Sequence, residues 1–168
     1  MIGMKQESDL SKAQVFCKAD TTDKVLRFVC EGLGDPIEDY IPSLPIGIYE
    51  GEKLIGGVLI NDIRPQRDCW LTIYTNSKHW AKRQVMRYVF GVVFNLIKCE
   101  RCSVFVSESN KTSLDMCLRL GFKKEGLLRC YRENGENCYV LGMLKSECIW
   151  SKTDEQKEKG TAAEHEAL

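Results

Sequence analysis

The sequence has no surplus of charge, no long apolar run, only two histidines and few prolines, and each shortage removes a class of function. Its 168 residues hold 24 Lys and Arg against 24 Asp and Glu. A balanced surface gives no broad field for bulk nucleic acid or an anionic membrane, so any anion site must be local. No stretch approaches the ~18 consecutive apolar residues of a membrane span, and Met1 to Leu10 is polar, unlike a secretion signal. The expectation is a soluble cytoplasmic protein without a membrane partner. His79 and His165 are the only histidines and Cys99-Glu-Arg-Cys102 the only CxxC, so the second ligand pair of a tetrahedral zinc site is missing and no metal is expected. The nine cysteines are expected reduced, most of them acting as small buried apolar side chains.

What remains is enough apolar residue, 43% of the chain, for one sizeable core. Residues 1–12 read as a flexible leader, 13–150 as one domain, and 151–168 as a charged, disordered tail, because the last stretch has almost no apolar side chains to bury. Within the domain, Gln14 to Lys18 suits a strand. Thr21 or Thr22 can cap a helix carrying Val25, Leu26, Val29 and Leu33, which stops at Gly34. Three of the four prolines, Pro36, Pro42 and Pro45, mark a surface loop. A hairpin over Ile46 to Asp62 turns at Glu50-Gly51-Glu52-Lys53, and Cys69 to Thr75 alternates as the next strand. Val85, Met86, Val89, Phe90, Val93 and Ile97 repeat at helical spacing, predicting a long helix that starts near Ser77. A strand at Ser103 to Val106 precedes a helix over Asn110 to Leu120, closed by Gly121. Leu127 to Arg132 and Tyr139 to Lys145 then flank Asn134-Gly135 as a hairpin. This order demands an α+β chain with a mixed, mostly antiparallel sheet and helices on its faces.

The order is similar to that of the GNAT superfamily of N-acetyltransferases over roughly residues 13 to 150. Asn110-Lys-Thr-Ser113 followed by Leu120-Gly121-Phe122-Lys-Lys-Glu125-Gly126-Leu-Leu-Arg129 resembles the N-x-x-S…G-F-x-x-E-G-x-x-R signature of its RimJ/RimL-like branch. Gly142-Met143-Leu144-Lys145 with Glu147-Cys148-Ile-Trp150, Trp70-Leu-Thr72-Ile and Trp80-Ala-Lys-Arg resemble GNAT proteins carried by bacteriophages. The resemblance implies acyl transfer from acetyl-coenzyme A to a primary amine of a protein, peptide or small molecule by direct attack. The family's glycine-rich R/Q-x-x-G-x-G/A loop stands here as Trp80-Ala81-Lys82-Arg83-Gln84-Val85, without glycines.

Physical chemistry supports an anion site at the same place, since unpaired N–H groups and the positive dipole end of a helix favour a pyrophosphate. Lys78, Lys82, Arg83 and Arg87 crowd it. A solvated basic face is the alternative reading. Cofactor contacts are therefore expected from Trp80, Ala81, Lys82, Arg83, Gln84 and Val85, with Ile73, Tyr74 and Thr75 along the pantetheine arm and Asn110 beside it, although Trp80 also suits a core aromatic. For catalysis, the resemblance places Ser113 next to the departing thiolate, and helix-start chemistry explains the same residue. Asp62 is the first candidate base and Glu125 a weaker one, while Asn61-Asp62 before Arg64-Pro65 is also ordinary turn chemistry. Tyr131, read as a strand tyrosine, is a further proton donor. The tyrosine acid that many GNAT enzymes carry four residues after the serine position is here Cys117. A catalytically silent GNAT-fold binding protein is the rival function, and a homodimer edge at the final strand and Cys148-Ile149-Trp150 is weighed against intramolecular packing.

Overall fold

The computed structural model describes residues 14–152. The expected leader, and all of the expected tail beyond Lys152, lie outside the described residues. Seven strands form one sheet: β1 (Val15–Ala19), β2 (Ser43–Glu50), β3 (Lys53–Arg64), β4 (Asp68–Thr75), β5 (Arg101–Ser107), β6 (Lys123–Leu128) and β7 (Cys138–Leu144). They lie in the order β1-β2-β3-β4-β5-β7-β6, and only β4 and β5 run parallel. The helices are α1 (Lys24–Leu33), α2 (Arg83–Gly91) and α3 (Lys111–Leu120). The mixed sheet and the order of elements are those expected.

Each face of the sheet has its own core. Val25, Leu26, Val29 and Cys30 of α1 pack on Leu59 of β3. Gly57 permits this approach, because a Cβ there would stand 2.5 Å from Val29 Cγ2. On the other face α2 and α3 bury Val85, Met86, Val89, Phe90, Leu114 and Cys117 against β3, β4, β5 and β7. Ile55 to Ile60 of β3 are buried throughout, as a strand covered on both faces must be.

Five local expectations are corrected. α1 is started by Asp20 and not by Thr21 or Thr22: its carboxylate accepts from the Val25 N–H at 2.8 Å and the Thr22 N–H at 3.0 Å. The second helix begins at Arg83, not near Ser77, and closes through a π-helical turn over Val92–Leu96. Residues 76–82 stay out of it because Thr75 Oγ1 takes the Ser77 N–H at 3.1 Å and Trp80 turns inward, 5% exposed. The last hairpin pairs earlier than expected, Lys123 with Gly142 through Leu128 with Cys138. Beyond Leu128 the chain leaves the ladder at Cys130, whose φ is +52°, and the Tyr131 and Arg132 N–H groups both donate to the Glu136 carbonyl. Finally, β7 is interior, so the final strand offers no dimer edge; the sheet's outer strands are β1 and β6. Cys148 is buried and Trp150 Nε1 donates to the Leu120 carbonyl at 3.1 Å, which is intramolecular packing. Ser151, placed in the tail by composition, is also packed, its carbonyl accepting from Asn95 Nδ2 at 3.0 Å.

Candidate functional site

The parallel pair is where the sheet comes apart. β4 and β5 pair only from Asp68 with Arg101 to Trp70 with Ser103. Beyond that the strands diverge, while β4 continues to pair with β3 as far as Thr75 and β5 with β7 as far as Ser107. Alternate backbone groups of Leu71 to Thr75 therefore point into a gap with no strand partner, and so do those of Val104 to Ser107. Buried N–H and C=O groups demand partners. An amide-bearing chain laid along the gap would supply them, and Ile73 and Tyr74 stand on its wall. Their side chains serve otherwise: Ile73 packs on the core and Tyr74 meets Phe28 edge-on, ring centroids 5.4 Å apart. Thr75 is committed locally, its hydroxyl lying 2.8 Å from the Ile55 carbonyl and accepting the Ser77 N–H.

The gap faces the start of α2. Met86 N–H returns to the Lys82 carbonyl at 3.1 Å, which leaves the N–H groups of Arg83, Gln84 and Val85 without partners among the described residues. Ala81, Lys82 and Arg83 are exposed around them. The missing glycines do not obstruct this end. The Val85 side chain is fully buried in the core, pointing away from the amides, and the Arg83 guanidinium is free to meet an anion from solvent. Gln84 side-chain Nε2 donates to the Val15 carbonyl of β1, so only its backbone faces the site. His79, beside them, pairs with Glu50 at 3.1 Å.

The arm's path is tighter. Between α2, α3 and the diverging strands an apolar cavity of ≈ 20 Å³ is lined by Ile73, Trp80, Met86, Val104, Met116 and Cys117 among others. That is room for about one water. Trp80, one of the residues expected to touch the cofactor, is a packed indole on this cavity. The anion end fits a coenzyme pyrophosphate as it stands; the arm would need this packing to open.

At α3, Asn110 is the cap: its Oδ1 accepts from the Ser113 N–H at 3.1 Å. The Ser113 hydroxyl has no partner among the described residues and is half-buried in the first turn. Cys117 is buried, and burial pushes its thiol up to about 11.

On the face bearing α1, Trp70 stacks on Phe105 (4.1 Å between centroids) and Phe105 on Tyr131 (4.9 Å). Tyr131 is not on a strand but on the 129–137 connection, folded back over the gap and 46% exposed. Burial pushes its pKa up, with Cys138 and the Asp62 carboxylate adding to this and Arg132 opposing it. Asp62 is exposed at a bulge in β3 with φ +47°, near enough to Tyr131 to be felt electrostatically. Glu125 is placed apart from both. Its carboxylate accepts from Arg101 at 2.6 Å over Gly142, and the same Arg101 donates to Ser103 at 2.9 Å. One neighbour of the gap was invisible in the spacing: Arg132 donates to Ser107, the last residue of β5, at 3.1 Å. Within reach of its charge, Tyr40 packs on the α1 core and donates to Asp35 at 2.5 Å. Burial and the Asp35 carboxylate together push the Tyr40 hydroxyl well above its ordinary pKa.

No protein-family model and no curated protein matches the chain. Solved structures do. A mutant form of the spermidine N-acetyltransferase SpeG from Vibrio cholerae is similar over 81% of this chain and 96% of its own, with a TM-score of 0.67 at 15% identity. A dodecameric structure of spermidine N-acetyltransferase from the same organism gives 0.64 at 16% identity over 79% and 95%. A probable acetyltransferase gives 0.55 at 18% identity over 66% and 70%. The chain has the GNAT acetyltransferase fold.

Proposed function

We propose that the chain is an N-acetyltransferase that moves an acetyl group from acetyl-coenzyme A to a primary amine. The observation that carries this reading is the divergence of β4 from β5 directly in front of the unpaired amides of α2. Bound acetyl-coenzyme A would supply an activated acyl group as a thioester. The amides of Arg83, Gln84 and Val85, with Lys82 and Arg83, hold its pyrophosphate. Backbone groups of Ile73 and Tyr74 pair with the amides of its arm. Ser113, on the α3 side of the gap, offers its unpaired hydroxyl to the sulfur. The amine would approach from the α1 side, its nitrogen bonding the acetyl carbon as the carbon–sulfur bond breaks; Asp62, directly or through water, would accept the amine's proton, and Tyr131 would give one to the departing thiolate.

The motif of Asn110 to Arg129 supports a protein or peptide amine as acceptor and kinship with the RimJ/RimL-like branch. The two named neighbours instead act on spermidine, so a small polyamine is the other acceptor class. The likeness to bacteriophage proteins and a cytoplasmic setting rest on sequence alone. No helix among the described residues is long and apolar enough to cross a membrane. The narrow cavity around Trp80 favours a second reading, a silent GNAT-fold binding protein. Calorimetric titration with coenzyme A decides between them, followed by acetylation of spermidine and of peptides with free amines. Absence of binding by the parent and by variants that open the cavity refutes the enzyme reading.

A further inference from the structure

Trp80 is the feature of the site that neither the fold nor the proposed chemistry explains. Its indole is 5% exposed, yet it belongs to no regular element. It enters the space between the first turn of α2, the Met116 and Leu120 side of α3, and the wall formed by Ile73 and Val104 on the two diverging strands. With the indole there, ≈ 20 Å³ is left, which cannot admit a chain of amides. The other side chains around the cavity are held on helices and strands, except Phe122, which is fixed in the two-residue connection between α3 and β6. Trp80 alone hangs from the non-helical segment 76–82.

That segment is tied at its start by the Asn76 N–H to the Ile55 carbonyl at 3.2 Å and at its end by the Lys82 N–H to the Trp80 carbonyl at 2.8 Å, and few contacts hold it shut between them. Thr75 Oγ1 accepts the Ser77 N–H at 3.1 Å, Ser77 Oγ accepts the His79 N–H at 3.2 Å, and the His79 ring meets the Glu50 carboxylate of β2 at 3.1 Å. The Trp80 indole N–H has no acceptor among the described residues, so leaving the cavity breaks no hydrogen bond of its own. The burial of the indole holds the segment in, and an exposed His79–Glu50 contact latches it from outside.

We propose that Trp80 is a displaceable plug in the cofactor slot, latched by Glu50 and His79, and that coenzyme binding moves it out. The proposal rests on the acetyl-coenzyme A reading. In the swung-out state the arm takes the indole's place between Ile73 and Val104, while the amides of Arg83 to Val85 hold the phosphates at the same end of α2. The apparent affinity for coenzyme is lowered by the fraction of molecules that are closed.

The chain has three tryptophans, so the double substitution W70F/W150F leaves Trp80 as the only one. Coenzyme A is titrated into that protein and into Glu50→Gln, following heat, tryptophan emission and acrylamide quenching, with circular dichroism to confirm folding. The expected result is a red shift and stronger quenching on saturation, with Glu50→Gln binding up to about fivefold tighter than the parent, the range an exposed ion pair can supply. Binding by Glu50→Gln or Trp80→Leu where the parent shows none would support the plug equally. Binding with an unchanged Trp80 spectrum, unchanged quenching and no gain in Glu50→Gln overturns the plug and leaves the transferase reading standing. Failure of the parent, Glu50→Gln and Trp80→Leu all to bind, while folded, overturns both.

Discussion

Removing the two exposed cations at the start of α2 tests the anion site most directly. In Lys82→Ala/Arg83→Ala the backbone amides of residues 83–85 and the helix dipole persist, so the loss reports only what the side chains add. Both side chains are exposed, so each is screened by water and salt. Charged hydrogen bonds set the upper scale and exposed ion pairs the lower. Together these give about 1 to 3 kcal/mol, or roughly 5- to 150-fold in Kd. Val85 and Met86, which anchor α2 to the core, are untouched, so the melting temperature should hold. Titration calorimetry with coenzyme A at two salt concentrations is the assay. The parent should lose affinity with salt, and the double variant should lose less, since fewer charges contribute. Equal affinity in parent and variant, with equal salt dependence, would show that the pyrophosphate does not sit at this end of α2.

Three further outcomes are expected. Ser113→Ala should lower turnover about 10- to 1000-fold with coenzyme A affinity unchanged; since the backbone N–H that Asn110 caps is retained, a stable but equally fast variant would remove the hydroxyl from the chemistry. Gly142→Ala should cost no more than about 1 kcal/mol in a melting experiment, because the added Cβ would meet the Glu125 carboxylate and Arg101 Nη2, the ends of two flexible, partly exposed side chains that can move aside at the expense of their ion pair. Burial works against ionisation of Asp20, but hydrogen bonds from Val25 and Thr22 outweigh it and hold its pKa below the ordinary value; its contribution is therefore complete above the unfolded carboxylate pKa and lost as pH falls through the depressed one. Asp20→Asn should flatten that acid limb of the stability curve, and an unchanged limb would show that the cap does not depend on charge.

Periodicity made the apolar faces legible and left the ends of elements obscure. Val85, Met86, Val89 and Phe90 carry the helical repeat, and all four are buried. Ahead of them, residues 78–84 contain one large apolar side chain, Trp80, which a helix would have pointed wherever the register dictated; its burial overrode the Ser77 start. Asp20 could not be preferred over Thr21 or Thr22 by spacing, because its reach depends on β1 being tied to β2, where the Asp20 N–H donates to the Pro45 carbonyl at 2.9 Å. Asn134-Gly135 does turn, with Gly135 at φ +79°, yet the strands pair outside it. In the site, residues close in sequence were well placed: Asn110 caps the helix that holds Ser113. Contacts made by the parallel crossover were not, since Phe105 meets Trp70 only after α2 has carried the chain across the sheet.

The same stacking bears on why the gap exists. Two more paired residues between β4 and β5 would satisfy several backbone groups, each worth about 0.5 to 1.5 kcal/mol net. The packing opposes this on both faces. On one, Trp70 and Phe105 stack diagonally across the strands at 4.1 Å, with Tyr131 stacked on Phe105; on the other, the Trp80 indole lines one apolar cavity with Ile73 and Val104. Aromatic burial of this kind exceeds what a hydrogen bond or two returns, so the strands stay apart without a ligand and their polar groups remain available to one. The two faces are not equivalent. Tyr131 hangs from a connection and Trp80 from a loop, while the strands themselves are held by their β3 and β7 partners. If Trp80 is the plug proposed above, a ligand entering past it would meet preformed backbone donors and acceptors, and a second molecule past Tyr131 would reach the same gap from the opposite side. Under the proposed transferase reading, that two-sided access is where donor and acceptor would meet for direct transfer.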